Sequence, residues 1–374
     1  MNLIHLLPVG FLAICLISGC QNNQPTSIEN RPTESDNPVS QSRIPLTVFS
    51  AGSLIIPFDE LEKAFEARYP QIDLLAEYHG SIQVIRHVTE LHEPIDVVAT
   101  ADASLIPMLM YAVTDPQSGK PFANWYIRFA TNRLALAYVP DSVASDEINS
   151  ENWPTILARP DVKLGLADPR FDASGYRALM ATALAEEVKG NYTLFAPLFE
   201  GIFSPPITIF RDDQLTTITV PEILETVPGA HILLRGASIQ LIALLESGDL
   251  DYAFEYESVI KQHGLKMIPL PDEVNLGADG LDEFYDTVQV NLDFQRFSSV
   301  KPMFSGERIG YGITIPSNAP HPDEAALFVA YLLSPEGREI MAANYHPVLP
   351  QATIDGKENL PADLNELLGS ENPP

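Results

Sequence analysis

Thiols are nearly absent. The 374 residues include two cysteines, Cys15 and Cys20, both close to the N-terminus. From Gln21 onward there is none, so disulfides, a thiolate metal site and a cysteine nucleophile are excluded from the rest of the chain, whose stability must come from packing. Positive charge is scarce as well. Lys and Arg number 22 against 50 Asp and Glu, a formal net charge of -28, and no basic cluster occurs, which argues against nucleic acid or an anionic membrane surface as partner. Long apolar runs are missing apart from Leu3 to Ile17, which has the length of a signal peptide and is short for a transmembrane span. What is present is an ordinary globular composition, 45% hydrophobic and 19% charged. The chain is longer than one core usually serves, so two domains are expected.

The apolar N-terminal stretch ends in Ile17-Ser18-Gly19-Cys20, small residues directly before a cysteine, which is similar to a bacterial lipobox. Residues 1–20 are therefore expected to be a lipoprotein signal peptide, with Cys20 lipidated as the first residue of an exported protein held at the periplasmic or extracellular face of the membrane. A plain N-terminal anchor is the other reading, and Met1 to His5 lacks the Lys or Arg usual in a leader. Residues 21–43 are polar, rich in Ser, Thr, Asn, Gln and Pro and without apolar periodicity, as in a flexible tether.

From Ile44 the sequence alternates between strand and helix patterns. Pro45 to Phe49, Ile72 to Ala76 and Ile95 to Ala99 read as buried strands; Phe58, Leu61 and Phe65, then Val84, Val88 and Leu91, mark the inner faces of the intervening helices. The grammar continues through strands Trp125 to Phe129, Leu134 to Val139, Val162 to Leu166, His231 to Leu234, Asp251 to Tyr256 and Ile309 to Ile315. Tyr176, Leu179, Met180 and Leu184 give a helical stripe, and two helices follow, through Ala325 to Leu333 and from Pro335. Such alternation implies a largely parallel sheet with ligands at the carboxyl ends of its strands. At four of those ends a serine opens a helical pattern: Ser53, Ser81, Ser174 and Ser238. A serine there either caps free backbone N–H groups or turns its hydroxyl and N–H groups towards a bound anion. Two of the four fall early and two in the middle of the chain, so two lobes offering helix N-termini could close around one small anion.

The segments SAGSL with PFDELEKAFE, HGSIQVIRHVTEL, DVVATADASLIP, DASGYRALM, LLESGDLDYAFEYESV and YGITIPSNAPHPDEAALFVAYLLSPEG together resemble the molybdate/tungstate-binding proteins of ABC importers, particularly the branch first associated with archaea. The resemblance runs from Pro45 to about Pro350. It implies the type II periplasmic-binding-protein fold, two α/β lobes joined by crossing hinge strands, with residues 44–130 and 309–374 in the first lobe and residues 131–308 in the second. It implies also a small oxyanion as ligand, no cofactor, delivery to the transmembrane subunits of an ABC permease, and action as a monomer. On the first lobe it places Ser53 and Ser81 as donors to the oxo atoms; on the second, the N–H of Ser174, the helix start at Ser238 and the phenol of Tyr256. Two carboxylates also reach the metal centre of the cargo in that branch. Asp172 matches one; the other, a glutamate in many relatives, aligns with Ser238, and this departure sets six-coordination of the metal in question.

Chemistry bears on the same set. Molybdate, tungstate and sulfate are dianions near neutral pH, so their site should offer donors and few acceptors. Asp172 then has three readings: it touches the metal atom of the oxyanion, accepts a hydrogen bond from a proton-bearing phosphate, or caps the helix that begins near Ser174. Receptors for sulfate, phosphate or a small organic anion are alternatives on the same fold. A hydrolase is the rival class. It lacks support, because Ser53 and Ser81 have no G-x-S-x-G context and His87, Glu90 and His92 do not form the helical H-E-x-x-H zinc pattern.

Overall fold

The computed structural model describes residues 42–294 and 302–369. Cys20, the leader and nearly all of the expected tether lie outside the described residues. Four sheets occur among the described residues, the smallest a pairing of Phe203–Ser204 with Glu225–Thr226. The first has six strands in the spatial order Val348–Asp355, Tyr126–Thr131, Gly310–Thr314, Val97–Thr100, Ile44–Ala51 and Ile72–His79. The second has five, in the order Ile232–Arg235, Leu164–Ala167, Tyr252–Tyr256, Leu134–Tyr138 and Lys266–Pro269. A third, four-stranded sheet (Met303–Ser305, Val288–Asp293, Thr216–Pro221, Thr208–Arg211) was not anticipated.

Apolar periodicity explains most of these elements. The helix Ile55–Arg68 buries Pro57, Phe58, Leu61 and Phe65, each large side chain contributing roughly 1.5–3 kcal/mol on leaving water. Phe65 meets Phe328 edge-on at 5.4 Å, which seats the returning helix Pro322–Leu333 on the first sheet. The helix Ser81–Thr89 turns Val84, Ile85 and Val88 inward, but Leu91 is 61% exposed. That expectation is corrected: the helix stops before Leu91, and His92 adopts a left-handed φ of 55° that turns the chain away. The helix Ala173–Lys189 is buried on nearly every side, because the third sheet covers the face that the second does not; Tyr176 stacks on Phe304 of that sheet at 4.3 Å.

Neither main sheet is largely parallel. Ile44–Ala51 runs parallel to both its neighbours, but Gly310–Thr314 inserts antiparallel between Val97–Thr100 and Tyr126–Thr131. In the second sheet Tyr252–Tyr256 is parallel to Leu164–Ala167 and antiparallel to Leu134–Tyr138. The antiparallel strands are those next to the chain crossings, where a strand leaving one sheet must re-enter the other. One crossing occurs at Asn132-Arg133, between Tyr126–Thr131 and Leu134–Tyr138. Asn132 ties it down: its Nδ2 donates to Ser258 Oγ at 2.8 Å and to the Tyr311 phenol at 3.1 Å, one partner associated with each main sheet.

Candidate functional site

On the first sheet, Ser53 lies in a short 3-10 turn, Gly52–Leu54, and the α-helix begins only at Ile55. Its hydroxyl is 2.9 Å from the Tyr311 phenol. Ser81 is the first residue of its helix, and its hydroxyl accepts the Ala101 N–H at 3.0 Å. Neither hydroxyl caps a helix. The Gly80 N–H is instead answered by the Gln83 side chain at 3.2 Å, a task that frees Ser81 for other contacts.

On the second sheet the helix cap is Asp172. Its Oδ1 accepts the Ser174 N–H and the Ser174 hydroxyl, each at 2.8 Å, and its Oδ2 accepts the Ser238 N–H at 3.3 Å. One carboxylate thus joins the starts of the helices Ala173–Lys189 and Ile239–Glu246. Ser238 makes no side-chain cap of its own. Burial pushes the Asp172 pKa up, against the hydrogen bonds from Ser174 and Ser238 and the nearby charge of Arg177. Tyr256 ends the strand Tyr252–Tyr256, and its phenol accepts from Arg177 Nη1 at 2.8 Å.

All six side chains are buried; a chain of contacts connects Ser81, Tyr256 and Ser53, Asp172 joins Ser174 to Ser238, and Glu255 links the two groups through the Tyr256 N–H and the Ser238 hydroxyl. Ala101, which donates to Ser81, also gives its carbonyl to Arg177 Nη1 at 2.7 Å. Arg177 reaches Tyr256, whose ring meets that of Tyr311 at 6.2 Å, and Tyr311 reaches Ser53. The expected residues therefore share one interface between the two main sheets. Arg177, Asp102, Tyr311, Asn132 and Glu255 complete it and were not anticipated. Of these only Arg177 leaves a readable signal, a cation amid the Ala, Leu and Met residues of its helix and about three turns before the terminal Lys189. It is 2% exposed, and its Nη2 lies 3.2 Å from Asp102 Oδ2, an oxygen that also accepts the Tyr176 phenol. Burial works against the Arg177 charge, but Tyr256 and Asp102 beside it raise its pKa. Because Asp102 already balances this cation, the interface offers hydroxyl and N–H dipoles more than net positive charge.

The two halves touch closely. Ile82 N–H donates to the Phe171 carbonyl at 3.0 Å across the interface. A Cβ on Gly80 would lie 2.4 Å from the Phe171 carbonyl oxygen and 2.9 Å from that of Gly236. The Gly80 backbone is ordinary extended chain, φ -63° and ψ 144°, so glycine is required there for space, not for conformation.

The histidine cluster does not assemble. His87 Nδ1 is 3.0 Å from Glu93, Glu90 pairs with Arg86 at 2.8 Å, and His92 stacks on Phe122. A separate cavity of about 640 Å³ opens beside the crossing, with Arg128, Arg133, Lys261 and Arg308 on its wall. Lys261 pairs there with Glu257, and Arg308 with Asp279. None of the six expected ligand residues lines it.

Residues 46–345 match the model of a family described as bacterial extracellular solute-binding protein. An uncharacterized solute-binding protein of Staphylothermus marinus is 35% identical over 333 residues, covering 87% of this chain and 89% of its own. The molybdate/tungstate-binding protein WtpA of Thermococcus kodakarensis is 33% identical over 376 residues, 98% of this chain and 97% of its own. Among solved structures, the periplasmic molybdate-binding protein of Azotobacter vinelandii superposes with a TM-score of 0.51 at 15% identity, over 82% of this chain and all of that one. That likeness fixes the two-lobed α/β architecture of periplasmic binding proteins.

Proposed function

The chain belongs to the bacterial extracellular solute-binding protein family, and on that premise we propose that it captures molybdate or tungstate between its two lobes and delivers the anion to the membrane subunits of an ABC importer. Residues 44–130 and 309–374 form the first lobe in this reading, and residues 131–308 the second, in keeping with the membership of the two main sheets. One observation carries the proposal: helix starts from both sheets converge on a single buried interface with serine hydroxyls that do not cap their own helices. Such a surface suits a dehydrated oxyanion. The names of relatives such as WtpA select molybdate and tungstate within the oxyanions.

Ser53 and Ser81 donate from the first lobe; Ser174, Ser238 and Tyr256 donate from the second. Asp172, which accepts the Ser174 and Ser238 amides, shares them with the oxo atoms and reaches the metal atom of the cargo. The role is binding without turnover, since the Ser53 hydroxyl faces a phenol and the Ser81 hydroxyl accepts an amide, leaving neither with a general base. A net charge of -28 slows encounter with an anion without removing the local dipoles that hold it. Sulfate or phosphate is the second reading, favoured by the absence of a carboxylate at Ser238. Titration calorimetry decides between them: saturable binding of molybdate or tungstate, with sulfate and phosphate much weaker, is expected, and the reverse order would overturn the assignment.

The protein acts as a monomer tethered through lipidated Cys20. Mass spectrometry of membrane-derived protein is expected to find an acylated Cys20 at the mature N-terminus, and an intact unlipidated leader in the native host would contradict it.

A further inference from the structure

Glu255, one of the residues that complete the interface, is fully buried near the end of the strand Tyr252–Tyr256. Its Oε1 accepts the Tyr256 N–H at 2.7 Å. Its Oε2 is buried without a hydrogen-bond partner, a costly state for either form of a carboxyl group. In the sheet it lies opposite Ala135, with Leu134 and Leu136 beside that residue, and the pairing with Leu164–Ala167 ends at Ala253. The charged and titratable groups that act on it come from elsewhere: Asp172 before the Ala173–Lys189 helix and Tyr311 on the first sheet; the Ser238 hydroxyl also reaches it. Arg177 is engaged by Asp102 and Tyr256. Among the described residues no cation acts on Glu255 to balance its ionised form, while Asp172 adds repulsion.

We propose that Glu255 is a ligand-contacting residue that keeps its proton and donates it from Oε2 to the bound oxyanion. The inference rests on the oxyanion reading of the cleft. An ionised Glu255 would set a second carboxylate beside a dianion, whereas a protonated one satisfies its own buried oxygen and adds a donor where donors are needed. Burial pushes its pKa up to about 8, partly opposed by the Tyr256 amide and the Ser238 hydroxyl. The sign of the linkage follows. The anion binds the protonated form, so affinity is flat well below pH 8 and falls above it, approaching about tenfold per pH unit.

The test is molybdate titration of the whole protein from pH 6 to pH 9.5, for wild type and Glu255→Gln. The amide retains a donor and cannot ionise. Glu255→Gln is expected to bind within about threefold of wild type at pH 6.5 and to lose the alkaline decline. Glu307, whose pKa burial and Asp102 raise to about 7, is common to both proteins and cancels. A wild-type affinity that stays flat to pH 9.5, a Glu255→Gln profile that falls in parallel with wild type, or a loss beyond about tenfold for the variant at pH 6.5 would each overturn the donor role. Those outcomes leave oxyanion binding standing. Failure of wild type to bind molybdate at any pH would instead remove the reading on which the inference rests, and the inference with it.

Discussion

Gly80→Ala is expected to hold the two lobes apart. The added methyl would sit 2.4 Å from the Phe171 carbonyl oxygen and 2.9 Å from that of Gly236, both backbone atoms just beyond strands of the second sheet, so no rotamer change relieves the contact. Overpacking against fixed backbone costs the closed form about 3 kcal/mol, a loss of affinity on the order of 100-fold. The open form is untouched, because residue 80 already has extended backbone that alanine adopts freely. Small-angle scattering with saturating molybdate should then show a larger radius for Gly80→Ala than for wild type. Unaltered affinity in the variant would mean that the Gly80 edge and the Phe171 loop separate in the bound state.

The second large effect concerns Arg177. It is buried on the Ala173–Lys189 helix, which packs on the second sheet, yet its partners Ala101 and Asp102 follow the first-sheet strand Val97–Thr100. Its removal leaves the buried Asp102 with the Tyr176 and Ser104 hydroxyls and the Ser104 N–H but no cation, and deprives Tyr256 of its donor. Breaking a buried pair from one side costs about 3–5 kcal/mol. Arg177→Met is therefore expected to weaken molybdate binding by about 100-fold or more. Arg177→Met with Asp102→Asn should recover part of that loss, since the orphaned charge disappears too. A single substitution that leaves affinity within a few fold of wild type would show that the cation does not hold the lobes together.

How much of this was legible in the sequence depends on distance along the chain. Strands such as Ile44–Ala51 and Val97–Thr100 are short β-branched runs bounded by turn residues, and their signal is local. The Asp172 cap was readable in Asp-Ala-Ser for the same reason, since cap and amide lie two residues apart. The third sheet escaped notice because Thr216–Pro221 buries only alternate residues, two of them apolar, and pairs with Val288–Asp293 far along the chain. Helix starts at the serines were read nearly in place, but Ser53 precedes its α-helix by a 3-10 turn that propensity does not signal. The polar network was the least visible part. Asp102, Asn132, Arg177, Glu255 and Tyr311 sit in five separate segments, and apart from Arg177 each taken alone has an ordinary neighbourhood. Only folding shows that Asn132 bridges Ser258 and Tyr311, or that Glu255 is left with an unanswered oxygen.

Anomalous X-ray scattering from crystals grown with tungstate, collected at the tungsten edge, locates the anion without reference to affinity or to any substitution. The account predicts one strong tungsten peak enclosed by Ser53 and Ser81 on one side and by Ser174, Ser238 and Tyr256 on the other. A peak in the cavity lined by Arg128 and Arg308, or tungsten density only at the molecular surface, would contradict it.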